Sequence, residues 1–221
     1  MLRSLSALLD YNIAATDGVQ GTVYNFLLDD ESWIVHYLVA ETASSIGTRK
    51  VLVEPFVVGR SEWENKRVSV RLTSEQIRTG PPLEADMPIS RQRETGIKRP
   101  GSHLRSLREL IGYAVHTAEG EAGGIGDLII EDTLWGIHQM VIALRQFPRS
   151  VLLSPHAIRS ISWSAKRVFV NLSLQELEDS IAFDPTAAVN HDRDRRLYDY
   201  YGRLVSSPPT SETNRRPEMR G

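Results

Sequence analysis

Two stretches of the chain carry the same pattern of apolar and polar positions. ESWIVHYLVAE at 31–41 and TLWGIHQMVIA at 133–143 each hold a Trp and, three residues later, a His inside an apolar run. Read as a strand, the first stretch puts Trp33, Val35, Tyr37 and Val39 on one face and Ile34, His36, Leu38 and Ala40 on the other. Both sets are mainly apolar, which predicts a strand covered on both sides. Trp and His then face opposite ways and form no local pair. RVSVRL at 67–72 alternates more strictly, with Val68, Val70 and Leu72 on one face, and RVFVNL at 167–172 repeats it. ATDGVQG places Asp17-Gly18 between extended segments, where a hairpin favours positive φ. Short helical patterns follow at 73–79 and 173–180, with Thr73 and Ser173 as N-caps.

These elements recur because the chain is duplicated. LRSLSALLDY from Leu2 returns as LRSLRELIGY from Leu104. In the same register Gly18 meets Gly120, Gly21 meets Gly123, Trp33 meets Trp135 and His36 meets His138. After a two-residue deletion VLVEP at 51–55 meets VLLSP at 151–155, and Trp63 meets Trp163. Two copies of this length point to paired domains rather than a solenoid. The expected fold class is mainly β: two tandem small antiparallel barrels, each with a short C-terminal helix. The expected boundaries are 1–82 and 103–185 for the domains, 83–102 for an exposed Pro-rich linker, 186–205 for a C-terminal helix and 206–221 for a disordered tail. Trp33, Trp135, Trp63, Trp163, Gly18 and Gly120 are read as structural.

Composition narrows the chemistry. There is no Cys, which removes disulfides and thiolate catalysis. A net charge of −2 gives no bulk attraction to nucleic acid or anionic lipid. No run reaches the ~20 apolar residues of a membrane helix. The N-terminus does not read as a signal peptide, so the expected compartment is the cytoplasm. The six His are too scattered to suggest a metal motif. AEGEAGGIGDL at 118–128 lacks the Lys-Ser/Thr of a phosphate loop and the glycine order of a dinucleotide site. A hairpin with a closely packed second strand is the favoured reading. LDDES and IEDTL read as solvated turns. No catalytic constellation, cofactor site or metal site is assigned. Arg91 and Arg93 in the linker, and Arg195, Tyr198 and Tyr201 near the C-terminus, are the candidate interaction residues. The latter group equally fits a helix packed on the second barrel.

The long ordered match of ATDGVQGTVYNFLLDDESWIVHYLVAET, RKVLVEPFVVGRSEWENKRVSVRL, MPISRQRE, DTLWGIHQMVIAL, VLLSPHAIRSISWSAKRVFVNL and RLYDYYGR resembles the PRC-barrel family, as two such domains in tandem. Related domains occur in the H subunit of bacterial photosynthetic reaction centres and in a ribosome maturation factor. The resemblance implies a β-barrel scaffold without catalytic activity, with protein as its partner. Three alternatives stay open: an RNA- or ribosome-associated assembly factor, a photosynthetic-complex-associated factor, and a small-molecule sensor using the inter-barrel cleft. A homo-oligomer also stays open.

Overall fold

The computed structural model describes residues 2–45, 47–62, 65–96 and 103–184. The helix expected at 186–205 and the tail at 206–221 lie outside the described residues, and so do Trp63, Arg195, Tyr198 and Tyr201.

Each half opens with the same device. Strand β1 (Leu2–Ser4) runs into helix α1 (Leu5–Leu8), where the Ser4 hydroxyl accepts the Ala7 N–H. Strand β8 (Leu104–Ser106) runs into α4 (Leu107–Leu110), where Ser106 accepts from Glu109. Helices this short do not hold by themselves. Packing holds them: Leu5, Leu8, Leu107 and Leu110 are all fully buried.

Strands β2 (Asn12–Ala15) and β3 (Gly18–Asp29) form a hairpin in which Ala15 pairs with Gly18. The turn leaves Gly18 at φ 151° and, in the second copy, Gly120 at φ 138°. A Cβ at either would meet nothing within 4 Å, so the turn's demand is conformational. Strands β4 (Val35–Ser44), β5 (Gly47–Val53), β6 (Val58–Glu62) and β7 (Arg67–Val70) complete the order β5-β4-β3-β2-β7-β6. The second half repeats this with β9 (Ala114–His116), β10 (Glu121–Glu131), β11 (Gly136–Leu144), β12 (Ser150–Leu153), β13 (Ile158–Ser162) and β14 (Arg167–Val170). Helices α2 (Ser74–Arg78) and α5 (Leu174–Glu178) start on capping boxes built by Thr73 with Gln76 and by Ser173 with Glu176.

The architecture is mainly β, with two seven-stranded sheets. It is not wholly antiparallel. β2 pairs with β7, and β9 with β14, in parallel. These strands are distant in sequence, and the intervening hairpins return the chain in the same direction. Among the described strands no pairing joins β5 to β6, so neither sheet closes through a continuous ladder.

The seventh strand of each sheet comes from the other half. β1 pairs with β10, in the register Leu2–Glu131, Arg3–Ile130 and Ser4–Ile129. β8 pairs with β3, in the equivalent register Leu104–Asp29, Arg105–Leu28 and Ser106–Leu27. The exchange is reciprocal, and buried side chains of both halves join in one core. The two sequence copies therefore share strands and core.

The segment expected as an exposed linker is partly packed. Leu83–Ala85 forms a 3-10 turn and Ile89–Thr95 forms helix α3. Pro88 sits at the N-cap, where proline does not oppose a helix, and Gly96 ends it at φ 72°. Leu83, Met87 and Gln92 are buried. Leu83 packs with Leu27, Val39, Leu52 and Leu104 on the outer face of the first sheet.

Within the glycine-rich stretch Gly123 is packed tightly against backbone, as is its first-copy equivalent Gly21. A Cβ on Gly21 would lie 2.1 Å from the Glu41 carbonyl oxygen, and one on Gly123 would lie 2.2 Å from that of Ala143. The obstacle is backbone, which cannot rotate away. Gly21→Ala and Gly123→Ala are each expected to destabilise by about 3 kcal/mol, at the upper end of typical overpacking costs. Urea unfolding checks this. A loss confined to a few tenths of a kcal/mol would mean that the strands separate freely there.

Candidate binding groove

The Trp/His segments differ from simple strands. Leu27 pairs with Tyr37 and Leu28 with Val35, which leaves His36 as the extra residue of a β-bulge. Ile129 pairs with Gln139 and Ile130 with Ile137, which leaves His138 in the same position. The bulge shifts the alternation by one, so Val35 enters the main core with Leu38 and Ala40, while His36 is exposed. This corrects the face assignment, which placed Val35 opposite Leu38. Trp33 and Trp135 precede the strands, in the left-handed region at φ 56° and 58°. Each Trp N–H closes a turn, onto the Asp29 and Glu131 carbonyls respectively. Each Trp carbonyl accepts from the other half: Trp135 from Val35 N–H at 2.9 Å, and Trp33 from Ile137 N–H at 2.7 Å. The two copies of the motif thus meet at the seam between the halves.

Charged pairs cross the same seam. Arg105 Nε lies 2.6 Å from Asp30, and its guanidinium stacks 3.7 Å over the Trp163 ring. Arg3 Nε lies 2.7 Å from Asp132. Beside Arg105, a cleft of about 450 Å³ is lined by Trp33, Trp163, His103 and Arg159. Its charges are largely engaged with one another, since His103 lies 3.3 Å from Asp30 and 3.4 Å from Glu31. Among the described residues no three His, Asp or Glu side chains converge as metal ligands. No described helix is long and apolar enough to cross a membrane.

Hydrogen bonds hold several carboxyls below their ordinary range. The Ser74 backbone and hydroxyl donate to Asp17, at 2.7 and 2.8 Å, and lower it. Burial raises Asp29 and Asp132, but donors from Ser32 to the first, and from Arg3 to the second, outweigh it. Depressed folded pKa values stabilise the fold above the ordinary Asp value of 3.8, and that contribution is lost as pH falls through the folded values. The melting temperature is expected to hold from about pH 7 to 5 and to drop below about pH 4. A thermal scan checks this, and a rise on acidification would contradict the sign.

An apolar groove of about 540 Å³ opens on the first half. Its walls are Tyr37 of β4, Leu52 of β5, the turn Pro55–Val57, Ile77 of α2, and the segment around Pro81. Phe56 stands at its mouth, 68% exposed. The Arg71 guanidinium donates to the Phe56 carbonyl, and Arg71 N–H donates to Val57 at 2.8 Å, so the turn is fixed. Arg49 donates to the Gly80 carbonyl at 3.1 Å and anchors the opposite wall. The polar lining includes Glu54 and Asp86. Asp86 accepts the Tyr37 hydroxyl at 3.2 Å. Burial raises the Tyr37 pKa, and the charges of Asp86 and Glu54 raise it further.

The second copy differs at these positions. Gln139 stands in place of Tyr37, Ser154 of Glu54, His156 of Phe56 and Ala157 of Val57. Sequence reasoning assigned none of the groove residues. The available signal was this contrast between VLVEPF and VLLSPH, two copies otherwise alike. Of the residues it did assign, Arg91 turns to Glu84 at 3.4 Å and Arg93 is exposed on α3. Trp163 packs 5.9 Å from Tyr113.

No protein-family model matches the chain, and no curated protein matches it. Among solved structures, the chain is similar to one from Pseudomonas aeruginosa described as a putative 16S ribosomal RNA processing protein RimM. The two are 15% identical over 79% of this chain and 99% of that one, with a TM-score of 0.26. The likeness is distant and carries no functional argument.

Proposed function

We propose that the protein is a non-catalytic binding scaffold, a two-copy relative of the PRC-barrel proteins, which holds another protein at the groove around Phe56. The observation that supports this most is the exposure of Phe56 on a turn that its neighbours hold rigidly. Exposed aromatics over apolar grooves are the anchors on which protein contacts concentrate. Of the assigned linker arginines, Arg91 is paired with Glu84 and Arg93 alone stands exposed, which is a small basic surface for an RNA reading.

The test is affinity capture from native lysate with the wild type and with Phe56→Ser, with and without nuclease. Protein retained by the wild type and lost with Phe56→Ser is the expected result. Retention that nuclease abolishes, or that falls by orders of magnitude between about 50 and 200 mM salt, would replace the scaffold with an RNA-binding protein.

A further inference from the structure

The groove also carries information about the charge of its occupant. The lining contains two carboxylates, Glu54 and Asp86, and no cation among the described residues. Glu75 and Glu84 stand on flanking elements, paired with Arg78 and Arg91. The nearby Arg49 and Arg71 point to backbone carbonyls of the walls rather than into the opening. The second copy has no acid at the position of Glu54. The edge of β5 is already occupied, since Leu52 N–H donates to Pro81 at 2.8 Å and Val51 bridges to Pro82. An occupant therefore adds no strand at Val51 and Leu52.

Resting on the binding reading above, we infer that the groove takes a peptide segment of another protein in which bulky apolar side chains are flanked by Lys or Arg. The apolar side chains fill the space between Phe56, Leu72 and Ile77. The cations meet Glu54 and Asp86 at the rim. A volume of about 540 Å³ falls within the range of sites that enclose ligand-sized groups, ~300–1,000 Å³.

The experiment uses the full chain and three labelled synthetic peptides followed by fluorescence anisotropy. One has a Leu-Phe-Leu centre with Lys/Arg flanks, the second has the same centre with Glu flanks, and the third has a Ser centre with Lys/Arg flanks. The first is expected to bind most tightly. The Glu-flanked peptide should bind about threefold to tenfold more weakly, as two partly exposed charge pairs allow. Glu54→Gln with Asp86→Asn should abolish that difference, and the carboxamide that replaces the Asp86 carboxylate can still accept from the Tyr37 hydroxyl. Phe56→Ser should weaken both apolar peptides by about tenfold or more. Equal binding of basic and acidic peptides, with Phe56→Ser still weakening both, overturns the charge inference and leaves the groove reading standing. Binding unaffected by Phe56→Ser, or no binding of the first peptide, overturns both. A photo-cross-linking residue at position 56 tests the remaining occupant. A cross-link to the chain's own 192–205 segment would overturn the partner in favour of an internal cover.

Discussion

Expressed separately, residues 1–96 and 103–221 are expected to remain unfolded, and to fold when combined as a one-to-one complex. The reason is the reciprocal exchange of β1 and β8. In the isolated first half, Leu2, Leu5 and Leu8 lose the sheet they cover. Three leucines at about 1.5–3 kcal/mol each come to about 5–9 kcal/mol. A whole domain is stable by only about 5–15 kcal/mol. The first half also loses the cover that Leu104, Leu107 and Leu110 give to β3, so its deficit exceeds what remains. The second half faces the same loss in mirror order. Circular dichroism melts of each fragment and of the mixture check this. The intact chain should unfold in one transition. A cooperative transition in either fragment alone would show that the halves are independent.

Arg105→Met is expected to destabilise the protein by about 3 kcal/mol, the lower end of the ~3–5 kcal/mol seen when one partner of a buried ion pair is removed. The side chains of Arg105 and Asp30 are only 7% and 9% exposed, so the loss strands a carboxylate away from water. His103 remains 3.3 Å from Asp30, which moderates the cost. The lost stacking on Trp163 adds to it. Adding Asp30→Asn to Arg105→Met should recover part of the loss, because no charge is then stranded. Arg78→Met is the control. Its pair with Glu75 is more than half exposed and should be worth about 0–1 kcal/mol. Denaturant midpoints compare the three. An Arg105→Met cost no larger than that of Arg78→Met would remove the ion pair from the account of how the halves are joined.

Much of the local structure was legible because its causes are local. Asp17-Gly18 required a turn with positive φ, and the turn is there. Thr73 and Ser173 stood before short amphipathic patterns, and each caps a helix. RVSVRL and RVFVNL alternated, and their valines are buried. The groove was not legible in either copy alone, since Phe56 and Glu54 are ordinary residues until a turn holds them over an apolar wall. The bulges at His36 and His138 were hidden for a similar reason. Alternation of side chains shows the period of a strand, but one unpaired residue reverses its faces, and pairing with a neighbour decides where that residue falls.

The sequence by itself determined the duplication, the turns, the caps and the mainly β character. Only the tertiary structure decided which sheet each opening strand joins. LRSL occurs twice, and at the repeat spacing β1 would find the same register on β3 as it finds on β10. The ladder register and the Arg–Asp partners recur in both copies, so these features of the strand do not distinguish the two choices. The choice falls to contacts that differ between the copies and form only when both halves are assembled: the Ser4 hydroxyl and Ser6 N–H donate to Asp127, whereas at the equivalent place Asn25 donates to Ser106. Their free energy depends on residues roughly a hundred positions apart meeting in space, and no local pattern encodes that.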